Sequence, residues 1–248
     1  MNIRAIVTYD GADYYGFQKT KLGSTVEKSL EKALFKVLQK KTNIQGASRT
    51  DRGVHAKGQV INFFVDKPLC LEKLQNSLNG VLPLSIRILL LQSVPSYFHP
   101  SLDSIKKTYS YSICNNEEMP PLCRNTAWHY PYKKIDLSLL EKGADLLLGS
   151  HDFSAFSTKK SDNPICNIEK ISIEKPNSYL IKIFITGDRF LYKMARTLIG
   201  TLVQVGTKEI LLPDLKDLFS HKLRKKAGVT APPHGLCLEK VYYDPQFP

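Results

Sequence analysis

Ser48-Arg49-Thr50-Asp51-Arg52-Gly53-Val54-His55-Ala56 is the stretch on which the reading of this chain turns. Upstream, Val26, Leu30, Ala33, Leu34, Val37 and Leu38 fall on one helical stripe. Ser24 and Glu27 have capping-box spacing, which predicts a helix over 24–38 opened by the Ser24 hydroxyl. Downstream, residues 59–65 read as a strand. The stretch is therefore a helix-to-strand loop that sets a carboxylate between two guanidinium groups, with Gly53 free to take an unusual turn. Such a loop has two readings. Thr-Asp-x-Gly is ordinary turn chemistry. An ionised carboxylate, favoured by neighbouring arginines, can instead act as nucleophile, base or metal ligand.

Further from the loop, strands are expected at 2–9, 86–93, 108–114, 169–174, 179–185 and 236–243. Leu71, Leu74 and Leu78 predict a second helix ending at Gly80, with Pro83 soon after. A third helix is expected from Asp136 to Gly149. The most apolar, from Leu191 through Met194, Leu198 and Leu202 to Gly206, reads as a central buried helix. Pro95 to Ser104 offers a change of domain, giving an N-terminal half of 1–104 and a C-terminal half of 105–248. Lys222-Leu223-Arg224-Lys225-Lys226 reads as a solvated helix end in preference to a phosphate contact.

Composition narrows the partners. The 248 residues are 42% hydrophobic and 23% charged, as in an ordinary globular protein. Thirty-five Lys and Arg against 23 Asp and Glu leave a net charge of +12, which favours a polyanionic partner. No stretch approaches the roughly 20 apolar residues of a membrane span, and the N-terminus alternates like a strand with no signal-peptide core. Five scattered cysteines without a Cys-x-x-Cys suggest reduced thiols in the cytoplasm. The six histidines lack metal-ligand spacing, and neither a phosphate-binding Gly-rich loop nor a nucleophile elbow is present. No metal is expected.

Several blocks, in order, resemble one family. The Asp51 stretch is similar to the signature loop of the TruA-type tRNA pseudouridine synthases. Tyr9-Asp10-Gly11 with Tyr15-Gly16-Phe17-Gln18 resembles the family's opening, and Lys107-Thr108-Tyr109-Ser110-Tyr111 its Tyr-x-Tyr strand. His151-Asp152-Phe153-Ser154-Ala155-Phe156 matches another block. Phe190-Leu191 with Met194, Arg196 and Ile199-Gly200 resembles its long helix, and Thr230-Ala231-Pro232-Pro233 with Gly235-Leu236 its C-terminal turn.

The resemblance implies an α+β fold: two similar mixed α/β halves forming a largely antiparallel sheet with a central active-site cleft. It implies an isomerase that converts uridine to pseudouridine at positions 38, 39 and 40 of the tRNA anticodon stem-loop. By the same likeness Asp51 is the catalytic residue. Tyr109 supports the flipped base, Arg49 displaces it, and Arg196 meets the Asp51 carboxylate. A cytoplasmic homodimer acting on tRNA is implied, without cofactor, metal or membrane.

The chain departs from the family pattern at several positions. Ser48 stands where Gly is usual, and Phe17 where Trp is common. Pro100 and Ser101 follow Phe98-His99 where Ala and Arg are typical, which removes one candidate RNA contact. Two rivals remain on sequence grounds. One is a non-catalytic RNA-binding module using strand aromatics. The other is a metal-dependent nuclease using Asp51 and Asp152, which the absence of a larger acidic cluster disfavours.

Overall fold

A computed structural model describes residues 1–247, save the side chain of His221. In chain order the main elements are β1 (Asn2–Tyr9), α1 (Val26–Leu38), β2 (Gln45–Gly46), β3 (His55–Phe64), α2 (Leu71–Val81), β4 (Ile86–Val94), β5 (Ser104–Cys114), β6 (Trp128–His129), α3 (Leu137–Leu146), β7 (Gly149–Asp152), β8 (Ile165–Glu174), β9 (Leu180–Gly187), α4 (Met194–Gly206), α5 (Leu212–His221) and β10 (Leu236–Tyr243). The fold is α+β, and its strand pairing is mostly antiparallel.

Two compact units divide the chain, Met1–Ile105 with Cys237–Pro248 and Lys106–Leu236. The expected division at 104/105 assigned everything after it to the second half. The C-terminal segment instead belongs to the first unit, because Cys237 and Leu238 of β10 pair in parallel with His55 and Ala56 of β3.

In the first unit β1 lies between β3 and β4, and both pairings are antiparallel. Ala5 faces Ile61 on one side and Leu91 on the other. Ile3, Ala5 and Val7 are wholly buried, as are Leu78 of α2 and Ile86 of β4. β4 has β1 on one side, and α2 reaches its backbone with two side-chain amides. Asn79 brackets Ile88, donating from Nδ2 to its carbonyl and accepting from its N–H, both at 2.9 Å. Gln75 donates to the Leu89 carbonyl at 3.1 Å. Side-chain amides thus occupy backbone groups that an edge strand would offer to another chain.

The first cap differs from expectation. Thr25, not Ser24, caps α1 by accepting from the Lys28 N–H. Glu27 takes the Lys19 N–H at 2.6 Å instead of reaching back, and its own N–H goes to the Phe17 carbonyl.

In the second unit β9 lies between β5 and β8, with β7 beyond β8. The apolar helix α4 is the buried element expected, with Met194, Leu198, Ile199, Leu202 and Val203 wholly buried. It starts at Met194 instead of Leu191 because Lys193 adopts φ +60°, outside the right-handed helical region. Gly200 lets a loop approach α4 closely, since a Cβ there would lie 1.8 Å from the Val229 carbonyl oxygen.

The run 222–226 is the exposed helix end expected, apart from the half-buried Arg224. Lys222, at φ +54°, closes α5 and pairs with Asp152 at 2.7 Å. Arg224 turns inward, donating to the Gly228 carbonyl at 3.0 Å and to Thr230 Oγ1 at 2.9 Å.

Candidate active site

Asp51 and Arg49 sit on one loop of the first unit, and main-chain contacts determine its shape. The Phe17 N–H donates to the Thr50 carbonyl at 3.0 Å, and the Gly53 N–H to the Tyr14 carbonyl at 3.3 Å. The segment 14–17 therefore braces the loop on both sides of Asp51. Gly16 makes this approach possible. It adopts φ +95°, and a Cβ there would lie 2.9 Å from the Thr50 carbonyl oxygen and 3.3 Å from the Asp51 carbonyl carbon. Gly53, at φ +77°, supplies the turn expected of it. The Val54 N–H closes that turn on the Asp51 carbonyl at 3.1 Å.

Buried side chains complete the brace. Gln59 is fully buried and grips the Ser48 backbone, accepting its N–H at 3.1 Å and donating to its carbonyl at 2.7 Å. The hydroxyls of Tyr9 and Thr50 meet at 2.7 Å. His55 Nδ1 lies 3.1 Å from the Gly11 N–H and 3.0 Å from Asp10 Oδ1. Arg49 is exposed and Asp51 half-buried. The Arg52 guanidinium lies 4.2 Å from the centre of the Tyr15 ring, a cation–π distance that holds this cation against the protein. Phe17, where Trp is common, is 3% exposed and packs on Tyr9. It serves the brace as an apolar ring.

Tyr109 and Arg196 belong to the second unit. Tyr109 sits on β5 opposite Ile185 and is 7% exposed, with Phe190 edge-on to its ring at 4.9 Å. Tyr111, two residues on, is wholly buried and donates to the Pro232 carbonyl at 2.7 Å. Burial pushes its phenol far above its usual range, so it is a packed strand tyrosine. Arg196, half-buried in the first turn of α4, donates from Nε to the Ala231 carbonyl at 2.8 Å. The Ala231 N–H returns to the Arg196 carbonyl at 3.1 Å. This exchange ties the 230–232 turn to the helix, a contact the sequence did not disclose.

Asp152, the rival nuclease carboxylate, fastens its own turn. It accepts from the N–H and hydroxyl of Ser154, and its other oxygen pairs with Lys222. Partial burial works to raise its pKa, yet Lys222 and Ser154 hold it below the usual carboxylate value. The Phe98-His99 block is likewise a closed turn. Phe98 is buried against Tyr243 and Phe247, and His99 Nδ1 accepts the Ser101 N–H at 3.1 Å. Among the described residues no group of three or more His, Cys, Asp and Glu could hold a metal ion, and no helix is long and apolar enough to cross a membrane.

A family model described as tRNA pseudouridine synthase matches residues 5–101 and 144–244. The chain is 41% identical over 247 residues to tRNA pseudouridine synthase A 2 of Protochlamydia amoebophila, covering 98% of this chain and 94% of that protein. It is also 41% identical over 244 residues to tRNA pseudouridine synthase A of a Thermoanaerobacter species, covering 98% and 99%. Against tRNA pseudouridine synthase A 2 of Clostridium perfringens the identity is 39% over 246 residues, covering 98% and 99%. The chain belongs to the tRNA pseudouridine synthase family, whose members are isomerases. Arg49, Asp51 and Arg196 lie within the matched segments; Tyr109 lies between them.

Proposed function

We propose that this protein isomerises uridine to pseudouridine at positions 38, 39 and 40 of the tRNA anticodon stem-loop, with Asp51 as the catalytic carboxylate. The observation that supports this best is the brace around Asp51. Tyr14, Phe17, Gln59 and Tyr9 all spend hydrogen bonds on one short loop. Catalytic groups gain from such fixed positioning.

The reaction breaks the C1′–N1 bond, turns the uracil, forms a C1′–C5 bond and releases the C5 proton. No electrons are gained or lost, and no outside group is transferred. The carboxylate can attack C6 or C1′, or remove the C2′ proton to give a glycal. The target base must first leave its stack, which costs a few kcal/mol. Arg49, exposed on the same loop, is suited to fill the gap and hold phosphate. Tyr109, Arg49 and Arg196 are proposed to bind substrate, Tyr109 beneath the flipped ring. The net charge of +12 suits a tRNA substrate. A cytoplasmic homodimer is part of the same proposal, resting on the resemblance.

The test is tritium release from tRNA labelled at uridine C5, with mapping of the modified positions. Release at 38–40 supports the reading. RNA binding without release would overturn it in favour of a binding module.

A further inference from the structure

A cavity of about 410 Å³ opens in the second unit between two loops that the reaction leaves unused. One wall comes from Pro131, Lys133, Lys134 and Ile135, which follow β6; the other comes from Lys175, Ser178 and Tyr179 in the turn joining β8 to β9. Its volume lies within the roughly 300–1,000 Å³ of small-molecule sites. Lys133, Lys134 and Lys175 line it, against one lining carboxylate, Glu117. Lys133 is paired with Glu209 at 3.0 Å. Among the described residues Lys134 and Lys175 enter no ion pair.

Both walls are fixed in place. Asn115 donates to the carbonyls of Tyr130 and Lys133 at 2.7 and 2.8 Å and accepts the Ile135 N–H at 2.9 Å. Asn177 accepts the N–H groups of Tyr179 and Leu180, and the Asn115 N–H bonds the Tyr179 carbonyl at 2.9 Å. Between the lining residues Pro131 and Lys133 in sequence, Tyr132 ends a ladder of edge-on rings that runs from Trp128 through Tyr130 at 5.2 and 5.5 Å. Tyr132 is 79% exposed while Tyr130 is 8% exposed. Tyr132 is thus left in solvent next in sequence to a lining in which, among the described residues, Lys134 and Lys175 enter no ion pair. Together these parts match single-stranded RNA contacts, a base on a ring and phosphates on cations.

We infer that this cavity is a second RNA-contact site, holding a nucleotide of the substrate other than the one that reacts. Its base lies on Tyr132 and its phosphates meet Lys134 and Lys175. Asn115 stands six residues beyond Tyr109, about 20 Å along an extended strand, too far to serve the reacting base. Residues 115–137 of the lining fall between the two segments matched by the family model. The inference rests on RNA being the substrate.

The experiment measures equilibrium affinity for a full-length tRNA across salt concentrations, with single-turnover rates at saturating tRNA. Lys134→Gln with Lys175→Gln should reduce the slope of log affinity against log salt by about 1.5, as for two lost phosphate contacts. Tyr132→Leu should weaken binding about five-fold or more, and Tyr132→Phe, which keeps the ring, should not. Saturated single-turnover rates should stay within about two-fold of wild type, since the site binds and does not react. Wild-type affinity and slope in the lysine and leucine variants would overturn the inference and leave this face to a protein partner. Equal weakening by Tyr132→Phe and Tyr132→Leu would overturn the stacking role. If wild type releases no tritium while the variants still lose RNA affinity, the reaction assignment fails and this site stands.

Discussion

Asp51 and Asp152 each sit in a polar turn beside family-like residues, and different groups hold the two turns. Asp152 is the fastener: its carboxylate takes Ser154 and Lys222 and thereby closes the turn. The Asp51 loop is fastened by others, through the main chain of Tyr14 and Phe17, the Gln59 amide and the Tyr9 hydroxyl. A carboxylate that holds a turn together is committed to structure. The main chain around Asp51 is braced by other residues, and its carboxylate is the one proposed to act in chemistry.

The largest expected effect breaks that contrast directly. Asp51→Asn should take turnover to the assay floor while tRNA affinity stays within a few-fold, because affinity rests on cations. Asp152→Asn should retain most of the turnover. Tritium release by both variants checks this, and substantial release by a homogeneous Asp51→Asn preparation sinks the assignment.

Next in size is Tyr109, the proposed site residue outside the matched segments. Tyr109→Leu removes the face proposed to support the flipped base, and a stacked base is worth roughly 1–3 kcal/mol, so a loss of about five- to a hundred-fold is expected. Tyr109→Phe separates the ring from the hydroxyl. A loss of about 10²-fold or more in Phe assigns proton transfer or orientation to the hydroxyl. Near-wild-type single-turnover rates in both would reduce Tyr109 to a strand residue packed on Phe190.

Much of this was legible in the sequence. The periodic runs gave α1, α2 and α4, and the alternating runs gave the seven longer strands, because both patterns come from burial on one face. The Asp51 loop showed as a signature. Its support did not. Gln59 is one polar residue in a strand, and no local pattern marks the partner it finds eleven residues back in sequence. The bond from Arg196 to Ala231 was invisible because a carbonyl leaves no mark in composition. α5 escaped notice because it is short, and its buried face, Leu215 and Leu218 with Phe219 packed on Phe153 and Phe156, spans barely two turns. Ser24 and Glu27 had the right spacing for a cap, yet Lys19 competes for the Glu27 carboxylate. The membership of β10 in the first unit is a long-range pairing that local propensity cannot encode.

The brace itself can be tested on stability. Gln59→Leu keeps the volume and removes both bonds to Ser48, leaving a partly buried N–H and carbonyl to find water. The expected cost is about 1–3 kcal/mol, seen as a lower urea midpoint. Turnover should fall with it at temperatures where the protein is still folded, because the loop loses its anchor. Unchanged turnover in a folded Gln59→Leu protein would mean that the brace serves the fold alone.

The smallest effect concerns the carboxylate that holds its own turn, and pH supplies the control. Lys222 and Ser154 depress the folded pKa of Asp152 below its ordinary value of 3.8. A depressed carboxylate contributes stability that is present above the unfolded pKa and is lost as pH falls through the folded one. The window therefore lies below about pH 4. Lys222 is 55% exposed, so solvent screening limits the pair to about 0.5–1 kcal/mol. Lys222→Met keeps a side chain at the same left-handed position and removes only the charge. At pH 7 its urea midpoint should fall slightly below wild type. At a pH below the folded pKa of Asp152 the two midpoints should converge, because the proton has already removed what the substitution removes. A gap of equal size at both pH values would show that Lys222 acts through the α5 terminus and not through Asp152. The two carboxylates would then no longer differ in the way proposed here.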